Sequence, residues 1–404
     1  MAKISLPYGQ QEIDFEYDPN QWEALAAPAS DLKVVSKNDI LVALANPIDG
    51  QPLEEIVDVG EQVLIVVSDK TRATASDRVV PLLVGRLLEC GLRISDISVI
   101  FATGIHRQPT ESEKRQLLTD AIYEAIRHYH HNPANAAELV YLGDTPKGTP
   151  VELNRHLVEA DHVILTGSIG FHYFAGFTGG RKSVLPGLAS AQAIARNHLL
   201  AVDFSAGVTR RAGVGSGRLD GNAVHEDMEQ ACALLAPSFV VNTVLNEQRE
   251  IVQIFCGDWR TAHRRGCAEY AERHTAYIDE KRDLVIASCG GTPKDINLIQ
   301  AHKALDMAVG ALNEGGNIIL LAECQDGLGR DDFLNWFESP NAAAIGERLQ
   351  ENYQVNGQTA WALATKTERF RITLVSQLSP DLVGKMGMQA APDLATALAT
   401  LPSR

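Results

Sequence analysis

The stretch QVLIVVSDKTRATASDRVVPLLVGRLLECG, residues 62–91, decides the fold. It opens with a short β-branched run that ends in polar residues, and DRVVPLLVGRLLECG (77–91) then has helical spacing and a closing glycine. That is a strand, a loop and a helix. The pattern recurs at ISVIFATG (97–104), at HVILTGSIG (162–170) after the helical ELNRHLVEA (152–160), and again at DLVIASCGG (283–291) and NIILLAECQDG (317–327). Continuously apolar strands alternating with helices imply parallel sheets covered on both faces, so the expected class is α/β of the doubly wound, mostly parallel kind.

At 404 residues the chain exceeds one comfortable core, and two domains are expected. The charged helical stretch HRRGCAEYAERHTAYIDEKRD (263–283) marks the boundary, giving domains 1–270 and 271–390. A terminal segment, 391–404, contains DLATALATLPSR, which reads as a short amphipathic helix expected to dock back on the first domain. With 45% hydrophobic and 22% charged residues the chain is an ordinary packed protein. A net charge of −15 argues against a general nucleic-acid binder, while leaving room for a local basic pocket. Six cysteines without CxxC spacing fit reduced thiols better than a disulfide framework or a zinc site. No apolar leader and no membrane-length run is present in the sequence, so the cytoplasm is the expected location and no membrane partner is expected.

In doubly wound sheets ligands sit beyond the carboxyl ends of the strands. Here those ends are SDKTR (68–72), TGIHR (103–107), GSIGFHYFAGFTGGRK (167–182) and CGGTPKD (289–295). Asp69, Thr71 and Arg72 form a tight loop that can hold an anion, with Asp69 fixing the arginine or a ribose hydroxyl. His106 and His172 each follow a strand end and can share one crevice. Gly176, Gly179, Gly180 and Gly187 permit close backbone approach to a bulky ligand, and Arg181 beside Lys182 favours a neutral, nucleophilic amine by like-charge repulsion. The lysine follows arginine, so a Walker A loop is absent, and no GxGxxG fingerprint supports a nicotinamide site. Gln300 and Lys303, three apart on a helix, can reach one carboxylate. By themselves His198 and the HEDM run (225–228) read as structural.

Taken in order, SDKTR, TGIHR, GFHYFAGFTGGRKSVLPG, the downstream RNH and PKDINLIQAHK resemble the LarA-type lactate racemase family, over residues 68 to 303. The resemblance implies two Rossmann-like α/β domains with the active site in the interdomain cleft, and a racemase or epimerase of small 2-hydroxy acids. It further implies a nickel pincer nucleotide tethered covalently to Lys182, with His198 as the single protein ligand to nickel and Asp69, Thr71, Gly179 and Gly180 at the cofactor. His106 and His172 correspond to paired acid/base groups, and Arg72, Gln300 and Lys303 to groups at the substrate. Hydride removal would avoid the dianion that proton loss next to a carboxylate creates. Cofactor-synthesis enzymes are then required partners. Phe174, Ile299 and Trp361 are candidate pocket walls; Ile299 stands where many members have tyrosine, and Ala73 where many have proline. Two other readings stay open on the residues alone: an NAD-dependent 2-hydroxyacid oxidoreductase, and a non-catalytic nucleotide or anion binder.

Overall fold

A computed structural model describes residues 1–25, 32–205 and 207–401. The chain divides into two compact units. One comprises Pro28–Ala201 and Arg211–Thr275; the other comprises Met1–Ala27, Val202–Arg210 and Ala276–Arg404.

The larger unit is built on a six-stranded sheet ordered Ile251–Gly257, Phe239–Leu245, His162–Ser168, Val63–Ser68, Ile97–Ala102 and Arg127–Tyr129. All neighbours are parallel except the edge pair Phe239–Leu245 and Ile251–Gly257. The central run Val63 to Val67 is almost wholly buried, because helices cover both faces and each side chain enters a core. Burying one such Val, Leu or Ile side chain is worth about 1.5–3 kcal/mol. The expected helix forms as Ser76–Glu89, turning Val79, Val80, Leu83, Val84 and Leu87 onto the sheet. Gly91, at φ 94, takes the left-handed position after its end.

Strand order fixes where a ligand belongs. From Val63–Ser68 the chain steps to Ile97–Ala102 and Arg127–Tyr129 on one side, then returns to place His162–Ser168 on the other. The reversal opens a crevice past the carboxyl ends of Val63–Ser68 and His162–Ser168.

The smaller unit carries four parallel strands ordered Arg282–Ser288, Leu312–Leu321, Arg371–Val375 and Gln389–Ala391. An antiparallel hairpin, Ala2–Tyr8 with Gln11–Tyr17, contributes Leu6, Tyr8, Ile13 and Phe15 to its core. Residues 1–27 therefore fall outside the expected 1–270 domain, because the hairpin's apolar stripe packs with Leu284, Ile286 and Ile319. The C-terminal helix forms over Leu394–Ala399 and packs through Leu394 and Ala397 against the sheet of this same unit, with Ile319, Leu321 and Val375. Residues 402–404 of the expected segment lie outside the described residues.

Candidate active site

Three loops meet the criterion set by the strand order. They follow Val63–Ser68, Ile97–Ala102 and His162–Ser168, the three middle strands of the larger sheet. Two side-chain hydroxyls fasten the first loop to neighbouring strands: Ser168 Oγ donates to Ala73 O at 2.8 Å, and Thr243 Oγ1 to Thr74 O at 3.0 Å. Gly104 N donates to Gly187 O at 2.8 Å, tying the second loop to the end of the glycine-rich segment.

Asp69 is buried and its carboxylate is fully engaged. Oδ1 accepts from Thr71 N at 2.9 Å and from Thr71 Oγ1 at 2.5 Å, while Oδ2 lies 2.7 Å from His106 Nδ1. Burial is the largest influence on this acid and pushes its pKa up. The hydrogen bonds from His106 and Thr71, with the charges of His106 and Arg72, outweigh it and hold the carboxyl below its ordinary value. An ionised Asp69 accepts from Nδ1–H, which leaves Nε2 of His106 as the base; the ring is 44% exposed, so that nitrogen can meet a ligand. The sequence suggests the arginine or a ribose hydroxyl for Asp69; its side chain pairs with His106, while Arg72 still feels its charge. Arg72 N donates to Asp69 O at 3.1 Å, and the half-buried guanidinium has its pKa lowered by burial, against the pull of Asp69 and Tyr173.

A second cluster forms around Phe174. His172 meets its ring edge-on at 4.5 Å between centroids, His198 at 5.0 Å, and Lys182 Nζ lies 5.5 Å from the ring centre. Lys182 Nζ is 3.4 Å from His172 Nε2. His198 is buried, and burial, assisted by the charge of Lys182, pushes its pKa down to about 3. Its imidazole is therefore neutral at pH 7, the form that can ligate a metal. His198 comes from the helix Ala191–Leu199, so spacing alone reads it as structural, and only the family resemblance puts it with Lys182 and His172.

One expectation about the glycine-rich segment changes, and its glycines acquire a further reason. Arg181 does not crowd Lys182; it is buried and turns to Ala175 O, His225 and His263. The glycines serve the protein's own packing: a Cβ on Gly179 would come within 2.7 Å of Asn242 Oδ1, and one on Gly180 within 3.0 Å of the His263 ring. Gly176 and Gly187 are closed off by the backbone at Arg218 and Ser183. Left-handed φ values of 82° at Gly179 and 47° at Gly180 add the conformational reason for glycine.

In the smaller unit, Gln300 and Lys303 lie on the helix Leu298–Ala308, capped by Asn297. Lys303 Nζ donates to Gln300 Oε1 at 2.5 Å, so the two do share a face. Ile299 beside them is half-buried. Trp361 is buried in the helix Val355–Thr367, and its indole nitrogen would lie 3.3 Å from a Cβ on Gly346 of the helix Ala342–Glu351. Sequence reasoning read His225 correctly as structural but missed Asn242, whose Oδ1 accepts from Gly180 N at 2.9 Å.

The fold and these loops define an α/β protein that carries histidines, a lysine and an arginine on loops past the carboxyl ends of a mostly parallel sheet. Residues 8–208 match the model of the lactate racemase N-terminal domain and residues 278–403 that of the lactate racemase C-terminal domain. The lactate racemase of Thermoanaerobacterium thermosaccharolyticum is 34% identical, over 84% of this chain and 78% of the relative. That of Lactiplantibacillus plantarum is 31% identical, over 98% and 94%. The solved lactate racemase apoprotein from T. thermosaccharolyticum superimposes with a TM-score of 0.89, at 30% identity, covering 98% of this chain and 94% of that one. A protein from Thermotoga maritima, at 20% identity and a TM-score of 0.65, shares the fold. The chain belongs to the lactate racemase family, and it is an isomerase of the racemase class.

Proposed function

We propose that this enzyme inverts C2 of a small 2-hydroxy acid, lactate or a relative of it, by removing the C2 hydrogen as hydride and returning it to the other face. The observation that carries this reading is the placement of two histidines on loops from the strands either side of Val63–Ser68, whose own loop supplies Asp69 and Arg72. A racemase must deprotonate the hydroxyl of either enantiomer, and two independently supported bases suit that need.

The residues fit a nickel pincer nucleotide. Lys182 would hold it covalently, and the neutral, buried His198 has the donor chemistry for nickel. Among the described residues no group of three or more His, Cys, Asp or Glu could hold a metal, so a cofactor that brings most of its own donors suits this chain. Three buried polar atoms on or beside these loops, Thr74 Oγ1, Thr103 Oγ1 and Asn242 Nδ2, lack protein partners and could serve a polar group. When bound, the group would supply the hydride acceptor.

The chain's own part is binding and proton handling. His106, oriented by Asp69, takes the hydroxyl proton of one enantiomer at Nε2 while His172 gives a proton to the oxygen as the other enantiomer forms, and in the reverse direction the two exchange roles. Arg72 binds the carboxylate, and in the smaller unit Gln300 and Lys303 share a helix face whose chemistry also suits a carboxylate. Cofactor-synthesis enzymes are the partners such a protein needs. The cytoplasm suits six cysteines that are all free, five of them buried. Among the described residues no helix is long and apolar enough to cross a membrane.

The test is to produce the protein with the cofactor-synthesis enzymes and incubate it with single enantiomers of a panel of 2-hydroxy acids. Chiral chromatography should show inversion, lost in Lys182→Ala, together with an added mass on Lys182. Turnover that requires added NAD and survives Lys182→Ala would refute the reading.

A further inference from the structure

Arg181 is among the largest fully buried side chains, at 1% exposure, and among the described residues its hydrogen-bond partners are three backbone carbonyls and two histidines. Nη2 donates to Ala175 O at 2.9 Å, and Nη1 to Gly179 O at 3.3 Å and Thr178 O at 3.4 Å. Nε donates to His225 Nδ1 at 3.0 Å, and Nη1 lies 3.0 Å from His263 Nε2. His225 belongs to the helix Ala223–Leu235 and His263 to the helix Thr261–His274. The nearest negative charge reaches it through His225, whose Nε2 lies 3.4 Å from Glu229 Oε1; Glu229 in turn holds Arg264 at 2.9 Å.

Burying a guanidinium without a carboxylate against it is costly, and an apolar side chain would fill the same space more favourably. What an apolar side chain lacks is a rigid fork of five donors. Here the fork closes residues 175–181 into one turn by gripping three of its carbonyls, and it docks that turn onto two helices. The next residue is Lys182, whose amine lies against His172 and Phe174.

We propose that Arg181 is a positioning residue, presetting the turn that presents Lys182 so that its amine is held beside His172 and Phe174. The proposal rests on Lys182 being the tether. His225 is then part of the support, because its Nδ1 is the acceptor that orients the guanidinium from the side opposite the turn.

Limited acetic anhydride labelling of the purified apoprotein, read lysine by lysine by peptide mass spectrometry, tests this on two variants. His225→Leu removes the acceptor for Arg181 Nε, and His225→Asn offers an amide oxygen in place of Nδ1. Lys114 and Lys366, both buried, report any general loss of structure. Labelling of Lys182 should rise about tenfold in His225→Leu, the scale of one lost hydrogen bond to a charged group, with Lys114 and Lys366 still protected. It should return toward the parent rate in His225→Asn. When the cofactor-synthesis enzymes are present, the fraction of Lys182 carrying added mass should fall and recover in the same order. Unchanged Lys182 labelling in His225→Leu, or a rise shared by all three lysines, overturns the positioning role. A parent protein that gains no mass on Lys182 overturns the tether reading instead, and the labelling pattern still decides what Arg181 does to the turn.

Discussion

Asp69 and His106 stand 37 positions apart in sequence and 2.7 Å apart in space. The carboxylate sets the ring's tautomer as well as its direction, since an ionised acceptor on Nδ1 leaves Nε2 unprotonated. Asp69→Asn can present an amide N–H to Nδ1 and reverse that tautomer. We expect kcat to fall by about 10²–10⁴ with KM little changed, measured from both enantiomers of whichever acid is inverted. Because the two enantiomers have equal free energy, kcat/KM must fall equally in both directions; a variant that inverts as fast as the parent would remove Asp69 from this role. The residue types at this site were legible in the sequence, because polar residues concentrated after each apolar run. Their partners were not: the tight SDKTR loop suggested that Asp69 served Arg72, and only the register of Val63–Ser68 with Ile97–Ala102 brings His106 to the acid.

At the scale of elements, the helix Ala223–Leu235 does more than cover the sheet. Its cap, Asn222, is fully buried; the side chain accepts from Val224 N and His225 N and donates to Phe174 O at 2.9 Å and Arg218 O at 3.1 Å. One amide therefore starts the helix that carries His225 and also fixes the residue at the centre of the Lys182 cluster. Asn222→Ala should cost about 2 kcal/mol, the upper end for a cap because buried partners are also left unmade, and thermal unfolding will show it. Gly179→Ala should likewise lower the melting temperature, by a strain of about 1–3 kcal/mol from left-handed backbone and the approach to Asn242. If Gly179→Ala proves as stable as the parent, packing is not why a glycine stands there. The strand-loop-helix rhythm of residues 62–91 was readable from periodicity, whereas the purpose of the glycines was not, since a turn crowded by its own protein and one opened for a ligand share a composition.

The whole molecule keeps several histidines neutral by burying them. Burial pushes His131 down to about 4 and His302 to about 3, and holds His263 well below its ordinary value. Below the ordinary value of 6.5 the unfolded chain takes up protons that the native state refuses, so stability falls as pH drops from 6.5 toward 4. His131 and His302 each cost on the order of 2 kcal/mol at pH 5, against a total stability of roughly 5–15 kcal/mol, and His263 acts in the same direction. Melting temperatures measured from pH 8 to pH 4.5 should hold level and then drop below about 6.5; a curve flat to pH 4.5 would contradict the buried-histidine account.

The division of the chain also sets an order of events during synthesis. The hairpin Ala2–Tyr8 with Gln11–Tyr17 leaves the ribosome before the larger unit, but the strands that receive Leu6, Ile13 and Phe15 begin only at Arg282. At about 5–20 residues per second that interval is on the order of tens of seconds. During it the larger unit can form its sheet, while the hairpin's apolar stripe has nothing of its own unit to cover it. A nascent-chain holding factor has a natural target in residues 2–17, and a stalled chain ending near residue 275 should be more prone to aggregate with the hairpin than without it.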